Sequence, residues 1–185
     1  MTRCHCIFSH GFGSGPSAVK VKRLAAVAEQ SGWTSECVDY TDLDARQHIS
    51  RVGDVPARLD RLNERVQQAI QGNNVVLVGS SLGAYISGRA SLLTPVSGVF
   101  LMAPPIAVAP LPAMDVSSCP AMIVHGWHDS VVASADVIAW AQARAASLCM
   151  LDDSHHLDRH IDQIAHIFRY FITSQCSQSA RINTL

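Results

Sequence analysis

The strongest constraint on this chain is a single stretch, Val75-Val76-Leu77-Val78-Gly79-Ser80-Ser81-Leu82-Gly83. Four consecutive β-branched or aliphatic residues with no polar alternation predict a strand buried on both faces, which requires covering layers above and below it. The pattern Gly79-x-Ser81-x-Gly83 stands where that strand must end, and a helical run over Leu82–Leu93 starts at once. A turn this tight forces a strained backbone at its centre, and side chains two residues to either side would collide with the adjoining strand and helix. It projects Ser81 Oγ outward and leaves the Leu82 N–H free to point at a developing negative charge. Ser80 lacks symmetric glycines and is expected to face back toward the sheet. Reading the segment as a flexible glycine loop with incidental serines leaves its position after the apolar run unexplained.

The rest of the chain repeats that alternation. Strands are expected at Cys4–Ser9, Thr34–Tyr40, Asn74–Ser80, Val96–Met102, Ala121–His125 and Ser147–Leu151, the second half-exposed and near a sheet edge. Helices are expected over Ser17–Gln30, over Asp54–Gln71 with a stripe at Leu59, Leu62, Val66, Ala69 and Ile70, and over Val132–Ala146. A closing helix carries Leu157, Ile161, Ile164, Phe168 and Ile172. Strands alternating with helices argue for an α/β fold, a three-layer sandwich around a largely parallel six-stranded sheet. At 185 residues this is one domain, expected over 1–174, with 175–185 a frayed tail. Reactive groups in such folds lie just beyond the strand C-termini, here after Ser9, Tyr40, Ser80, His125 and Leu151.

Several classes are excluded. Fourteen Lys and Arg against 15 Asp and Glu, a net charge of −1, offer no field for nucleic acid. The basic residues between Arg51 and Arg65 are interrupted by Asp54, Asp60 and Glu64 and read as the wet face of a helix. No apolar run reaches the roughly 20 residues that a membrane-spanning helix needs, and Met1–Cys6 is too polar for the core of a signal peptide. The cysteines at 4, 6, 37, 119, 149 and 176 sit mostly in or beside apolar runs, and are expected to be reduced thiols of a cytoplasmic protein. Nine histidines form no His-Glu-x-x-His string, there is no CxxC pair, and alternation along a strand separates His5 from Cys4 and Cys6, so no metal is expected. The glycines at 11, 13 and 15 lack the dinucleotide spacing, and no Gly-Lys-Ser/Thr occurs, so no cofactor is expected. The partners implied are a small-molecule substrate and water; oligomeric state is not legible.

A serine hydroxyl becomes a nucleophile when a positioned imidazole takes its proton, and that imidazole needs an orienting carboxylate. In strand–turn–helix serine enzymes the chain order is Ser, acid, His. Downstream, His125-Gly126-Trp127-His128-Asp129 closes one strand and Leu151-Asp152-Asp153-Ser154-His155-His156 the last. Asp129 is preferred as acid over Asp115, which lies in a proline-rich excursion, and over Asp136, which occupies a solvent-facing helix position; Asp129 can also cap the helix that follows. His155 is preferred as base because it comes first after the strand-end loop, while His156 borders Leu157 and the closing helix and reads as a pocket-rim residue.

These segments together resemble the α/β-hydrolase superfamily, in particular its small cap-less bacterial serine esterases. Phe8-Ser9-His10-Gly11-Phe12-Gly13 resembles the family's His-Gly segment, Gly79–Gly83 its nucleophile elbow, His125–Val132 its His-Gly-x-x-Asp-x-x-Val acid segment and Ser154–Leu157 its base segment, with Ser154 where the family has glycine. The resemblance implies that Phe12 N–H joins Leu82 N–H in an oxyanion hole, with His10 bracing that loop. It again selects His155, and implies strand order 2-1-3-4-5-6 with the two leading antiparallel strands missing. Only Ala103–Pro120 occupies the usual lid position, without a helix-length segment, so the site should be open and walled by Phe12, Pro104, Ile106, Leu111, Trp127 and His156. The function implied is hydrolysis of a small or medium carboxylic ester through an acyl-enzyme. Thioester or amide hydrolysis would use the same apparatus, and a non-catalytic interaction protein could retain the same shell.

Overall fold

The computed structural model describes residues 3–182. Six strands, β1 (Arg3–Ser9), β2 (Thr34–Val38), β3 (Asn73–Ser80), β4 (Gly98–Met102), β5 (Ala121–Gly126) and β6 (Ser147–Leu151), form one sheet. Every neighbouring pair is parallel and the order is β2-β1-β3-β4-β5-β6. The apolar run of β3 sits near the middle, its Val75, Val76, Leu77 and Val78 almost without solvent exposure. Burying each such side chain is worth roughly 1.5–3 kcal/mol, which fixes the register of the central strand.

Alternate strand residues feed two cores. Ile7, Val75, Leu77, Val99, Leu101 and Ile123 pack with α3 (Val55–Ala69), α4 (Leu82–Leu93) and α5 (Ser134–Ala143) on one face. Cys6, Phe8, Val76, Val78, Phe100 and Val124 pack with α1 (Val19–Gln30) and α6 (Ile161–Ile182) on the other. This period-2 division gives the three-layer sandwich. Strand β2 lies at the sheet edge and buries little beyond Val38. Between β4 and β5 the chain makes no helix, and no lid covers the strand ends.

Four features differ from expectation. A single helical turn, α2 (Thr41–Asp44), follows β2 where no helix was expected; four residues carry no readable periodicity. Helix α3 is not simply wet on its basic side: Arg58 is fully buried with Val55, Leu62 and Val66, whose spacing places it on the inward stripe. Helix α6 continues past Ser174 to Ile182, because nothing after its apolar stripe is a Gly or Pro breaker. Cys6, Cys37, Cys119 and Cys149 are free, but Cys4 is disulfide-bonded, correcting the expectation of reduced thiols throughout; a buried strand position does not distinguish a thiol from a half-cystine. No helix among the described residues is long and apolar enough to cross a membrane.

Candidate active site

Three loops at the C-terminal edge of the sheet converge on Ser81, the residue between β3 and α4. Its backbone stands at φ 53°, ψ −124°, a region costly for a residue with a side chain and tolerated where surrounding structure imposes it. The imposition is visible. Ser81 N–H donates to Met102 O at 2.8 Å. A Cβ on Gly79 would run into Gly83 O and lie 2.5 Å from Ala84 Cα, and one on Gly83 would run into Ser9 O and lie 2.6 Å from His10 O. The glycines at minus two and plus two are therefore steric requirements of the turn. Ser80 is buried.

The loops after β5 and β6 are packed backbone to backbone. A Cβ on Gly126 would collide with Asp153 O and lie 2.7 Å from Ser154 O, and Trp127 N–H donates to Leu151 O at 2.9 Å and His128 N–H to Asp153 O at 3.0 Å. That contact brings Asp129 under His155. His155 Nδ1–H donates to Asp129 Oδ2 at 2.7 Å, leaving Nε2 to accept from Ser81 Oγ–H at 2.8 Å. Asp129 Oδ1 accepts from the amides of Val131 and Val132, both at 2.8 Å. The Asp129 side chain has no solvent exposure and that of His155 only 12%. Burial alone would raise the Asp129 carboxyl, but the Val132 amide, the His155 ring and the Val131 amide outweigh it and hold the group below the usual carboxylate range.

The other candidates stand apart. Asp115 pairs with Arg144 at 2.7 Å on the outside of the molecule, and Asp136 is exposed in the first turn of α5. His156 is exposed, its ring 6.1 Å from that of His155 and turned 74° to it. Its carbonyl accepts from Lys20 Nζ. A cavity of about 330 Å³ opens over Ser81, lined by Phe12, Lys20, Ser80, His155, His156 and Asp158 among others. Ile106 lines a second cavity of about 460 Å³ beside Val131, Val132 and Trp140, while Pro104, Leu111 and the half-exposed Trp127 line neither. The larger 700 Å³ cavity lies at the opposite edge of the sheet, where Ala121 and Ser147 begin their strands, and contains none of these groups. Among the described residues no three His, Cys, Asp or Glu side chains are grouped as metal ligands.

A family model described as "Alpha/beta hydrolase family" matches residues 6–172. The chain belongs to the α/β-hydrolase family. A crystal structure named as a candidate hydrolase of the α/β superfamily, from Xanthomonas campestris pv. campestris, is 50% identical, with a TM-score of 0.92 over 93% of this chain and 99% of that one. An α/β serine hydrolase without a lid, also from X. campestris, is similar in fold at 17% identity and a TM-score of 0.72, over 91% of this chain and 81% of that one. Est1E from Butyrivibrio proteoclasticus shares the fold at 14% identity and a TM-score of 0.77, over 96% and 90%. No functionally curated protein matches the sequence at a significant level.

Several supports of this α/β-hydrolase's site went unread in the sequence. Asp153 is buried and accepts from Ser154 N–H, His160 N–H and His160 Nδ1–H, holding the loop that carries His155. His125, also buried, donates from Nε2 to Val132 O at 3.2 Å beneath Asp129. His10, which the sequence already names as the brace of the loop after β1, accepts the Tyr40 N–H at Nε2 (3.0 Å) and donates from Nδ1 to Gly11 O (2.8 Å). Burial holds the His10 ring below the ordinary imidazole range, so it is neutral at pH 7. Beside it lies the Arg58–Asp44 pair. A polar residue on the buried stripe of α3 was the one sequence signal for that pair.

Proposed function

We propose that this hydrolase cleaves small or medium carboxylic esters by serine chemistry. The observation carrying the reading is the continuous line from Asp129 Oδ2 through His155 to Ser81 Oγ, 2.7 and 2.8 Å in its two steps. Both fall within the distances expected of a nucleophile, its base and the base's orienting carboxylate.

In this mechanism Ser81 Oγ attacks the ester carbonyl as His155 Nε2 takes its proton, and the carbonyl oxygen becomes an oxyanion. Asp129 stays ionised, holds the Nε2-accepting tautomer and stabilises the imidazolium. Two amides would receive the oxyanion. Leu82 N–H, in the first turn of α4, has no acceptor within its helix. The turn after β1 contributes Phe12 N–H, since the next amide, that of Gly13, is taken by Asp44 Oδ2 at 3.0 Å. Collapse breaks the ester C–O bond as His155 Nε2–H protonates the departing alkoxide. Water then adds to the acyl-enzyme with His155 again as base, releasing the acid and restoring Ser81 O–H.

The cavity over Ser81 is modest and uncovered, which favours short acyl groups over long lipid chains. Kinetics on a panel of p-nitrophenyl esters, acyl-thioesters and aminoacyl amides tests the proposal. The expected result is highest kcat/KM for p-nitrophenyl acetate or butyrate, with a p-nitrophenolate burst equal to the enzyme present. Turnover of thioesters or amides above esters would reassign the bond. Inactivity across the panel, without labelling of Ser81, would support the non-catalytic reading.

A further inference from the structure

The buried pair Arg58–Asp44 is hard to account for as a stabilising contact. Their side chains are 0% and 8% exposed, with Nε 3.1 Å from Oδ1. Yet neither of those two atoms makes a hydrogen bond, and Arg58 Nη1 is also buried without one. The guanidinium carbon lies 4.4 Å from the centroid of the Tyr40 ring. Desolvating both charges costs several kcal/mol each, and such pairs can often be replaced by apolar residues at no loss of stability. The pair's remaining contacts all go to one place. Arg58 Nη2 points at His10 O (3.3 Å), Gly11 O (3.5 Å) and Asp44 Oδ2 (3.4 Å), and the same Asp44 oxygen accepts Gly13 N–H at 3.0 Å.

The geometry of a peptide bond gives these contacts a consequence. The Gly11–Phe12 peptide is planar and trans, so its N–H points opposite to its C=O. Whatever holds Gly11 O from behind therefore sets the direction of Phe12 N–H in front. Gly11 O is held by His10 Nδ1–H at 2.8 Å, by Arg58 Nη2 and, across the turn, by Ser14 N–H at 3.4 Å. On the far side of Phe12, Asp44 pins the next amide. We infer that Arg58, paired with Asp44, is a positioning residue that aims the Phe12 amide at the oxyanion of the reacting ester, a role that rests on the serine-hydrolase reading of Ser81. Arg58 touches no substrate; it acts through the Gly11 carbonyl. Helix α3 and the turn α2 thereby contribute to a site that otherwise draws on the loops after β1, β3, β5 and β6.

The test compares wild type with Arg58→Met, Arg58→Lys and the double variant Arg58→Met/Asp44→Asn. The last leaves no lone buried charge and keeps an acceptor for Gly13 N–H. Active sites are counted by fluorophosphonate titration, so that unfolded protein does not enter kcat. A trifluoromethyl ketone, whose serine adduct carries an oxyanion, reports the hole separately from KM. Removing an oxyanion donor costs about 10²–10³-fold in kcat, and mis-aiming one should cost less. Arg58→Met should therefore lower kcat per site about 10–100-fold with KM nearly unchanged, and weaken the ketone by the same factor. Arg58→Lys should fall between, and the double variant should recover Tm without recovering kcat. Arg65→Met, on the same helix as Arg58, removes a pair with Glu36 of β2 at the protein surface and should leave kcat unchanged. Per-site kcat and ketone affinity within twofold of wild type in both Arg58→Met and the double variant would overturn the positioning role while leaving the hydrolase reading intact. A wild type that neither labels nor turns over would overturn both.

Discussion

Replacing Asp129 by Asn tests the site with an almost isosteric change, and the structure dictates how the amide must sit. Oδ1 of Asp129 accepts two backbone N–H groups, those of Val131 and Val132, while Oδ2 accepts one ring N–H from His155. An asparagine has one acceptor oxygen. Turning it toward His155 would set its NH₂ against the exposed Val131 amide and the part-buried Val132 amide and lose both hydrogen bonds, at about 0.5–1.5 kcal/mol each. The oxygen therefore stays on the loop and the NH₂ faces His155 Nδ1. That nitrogen must then accept, which moves the ring proton to Nε2, and Nε2–H can no longer take the proton of Ser81 Oγ. The ring is held in place and in the wrong tautomer. The expected loss is about 10²–10⁴-fold in kcat, the upper figure being the known penalty for such a change in a serine protease, equivalent to roughly 3–5 kcal/mol of barrier. Folding should survive, since Asn can still cap the loop. Steady-state hydrolysis of p-nitrophenyl butyrate, with circular dichroism on the same samples, measures both. A folded Asp129→Asn protein with more than a tenth of wild-type kcat would refute the tautomer argument, and loss of activity in Asp115→Asn instead would move the acid elsewhere.

Three further outcomes follow from the same geometry. His155→Ala should abolish most turnover while His156→Ala preserves kcat and at most alters KM, because only His155 contacts Ser81 Oγ; side-by-side kinetics showing the reverse would exchange their roles. Ser81→Gly and Ser81→Ala should both be inactive. The glycine variant should nonetheless be more stable than the alanine one by about 1 kcal/mol in urea titrations, since glycine relieves the strain at φ 53° at some cost in chain entropy; equal midpoints would argue that the turn is unstrained. Stability should also fall with acid in two stages. Burial holds His10 and His125 below the ordinary imidazole range, so the unfolded chain takes up protons there first, and stability is lost as pH drops below about 6.5. Asp129 and Asp153, held below the carboxylate range against the opposing effect of burial, contribute stability that is present above about pH 4 and lost beneath it. A urea midpoint unchanged between pH 7 and pH 5 would contradict the first stage.

The layer architecture was legible because β3 carries a solid apolar run and the helices carry periodic stripes, two signals that are local in sequence. Ser81 was legible for a related reason: the steric need for Gly79 and Gly83 arises within a few residues of it. The line to His155 and Asp129 depends on where β5 and β6 end, so chain order and strand placement sufficed to select them. Arg58 reads as solvent-facing when its charge is weighed above its place between Val55 and Leu62 on the inward face. Its partner Asp44 sits in a four-residue turn with no pattern to announce it, and their meeting beneath Gly11 depends on packing between segments far apart in sequence. The pocket walls were less legible still, because Pro104, Ile106 and Leu111 belong to an irregular excursion whose path is set by tertiary bonds such as Tyr85 Oη to Pro112 O and Trp140 Nε1 to Met114 O.

The central claim is that Ser81 is an activated nucleophile, and covalent labelling addresses it most directly. The folded protein is treated with a fluorophosphonate, digested and mapped by peptide mass spectrometry, with the Ser81→Ala variant alongside. One adduct per chain is expected, on Ser81 and not on neighbouring Ser80, appearing as esterase activity disappears, with no adduct on the Ser81→Ala variant. An adduct on Ser80, or no labelling of the folded wild type together with esterase activity that persists in Ser81→Ala, would contradict it.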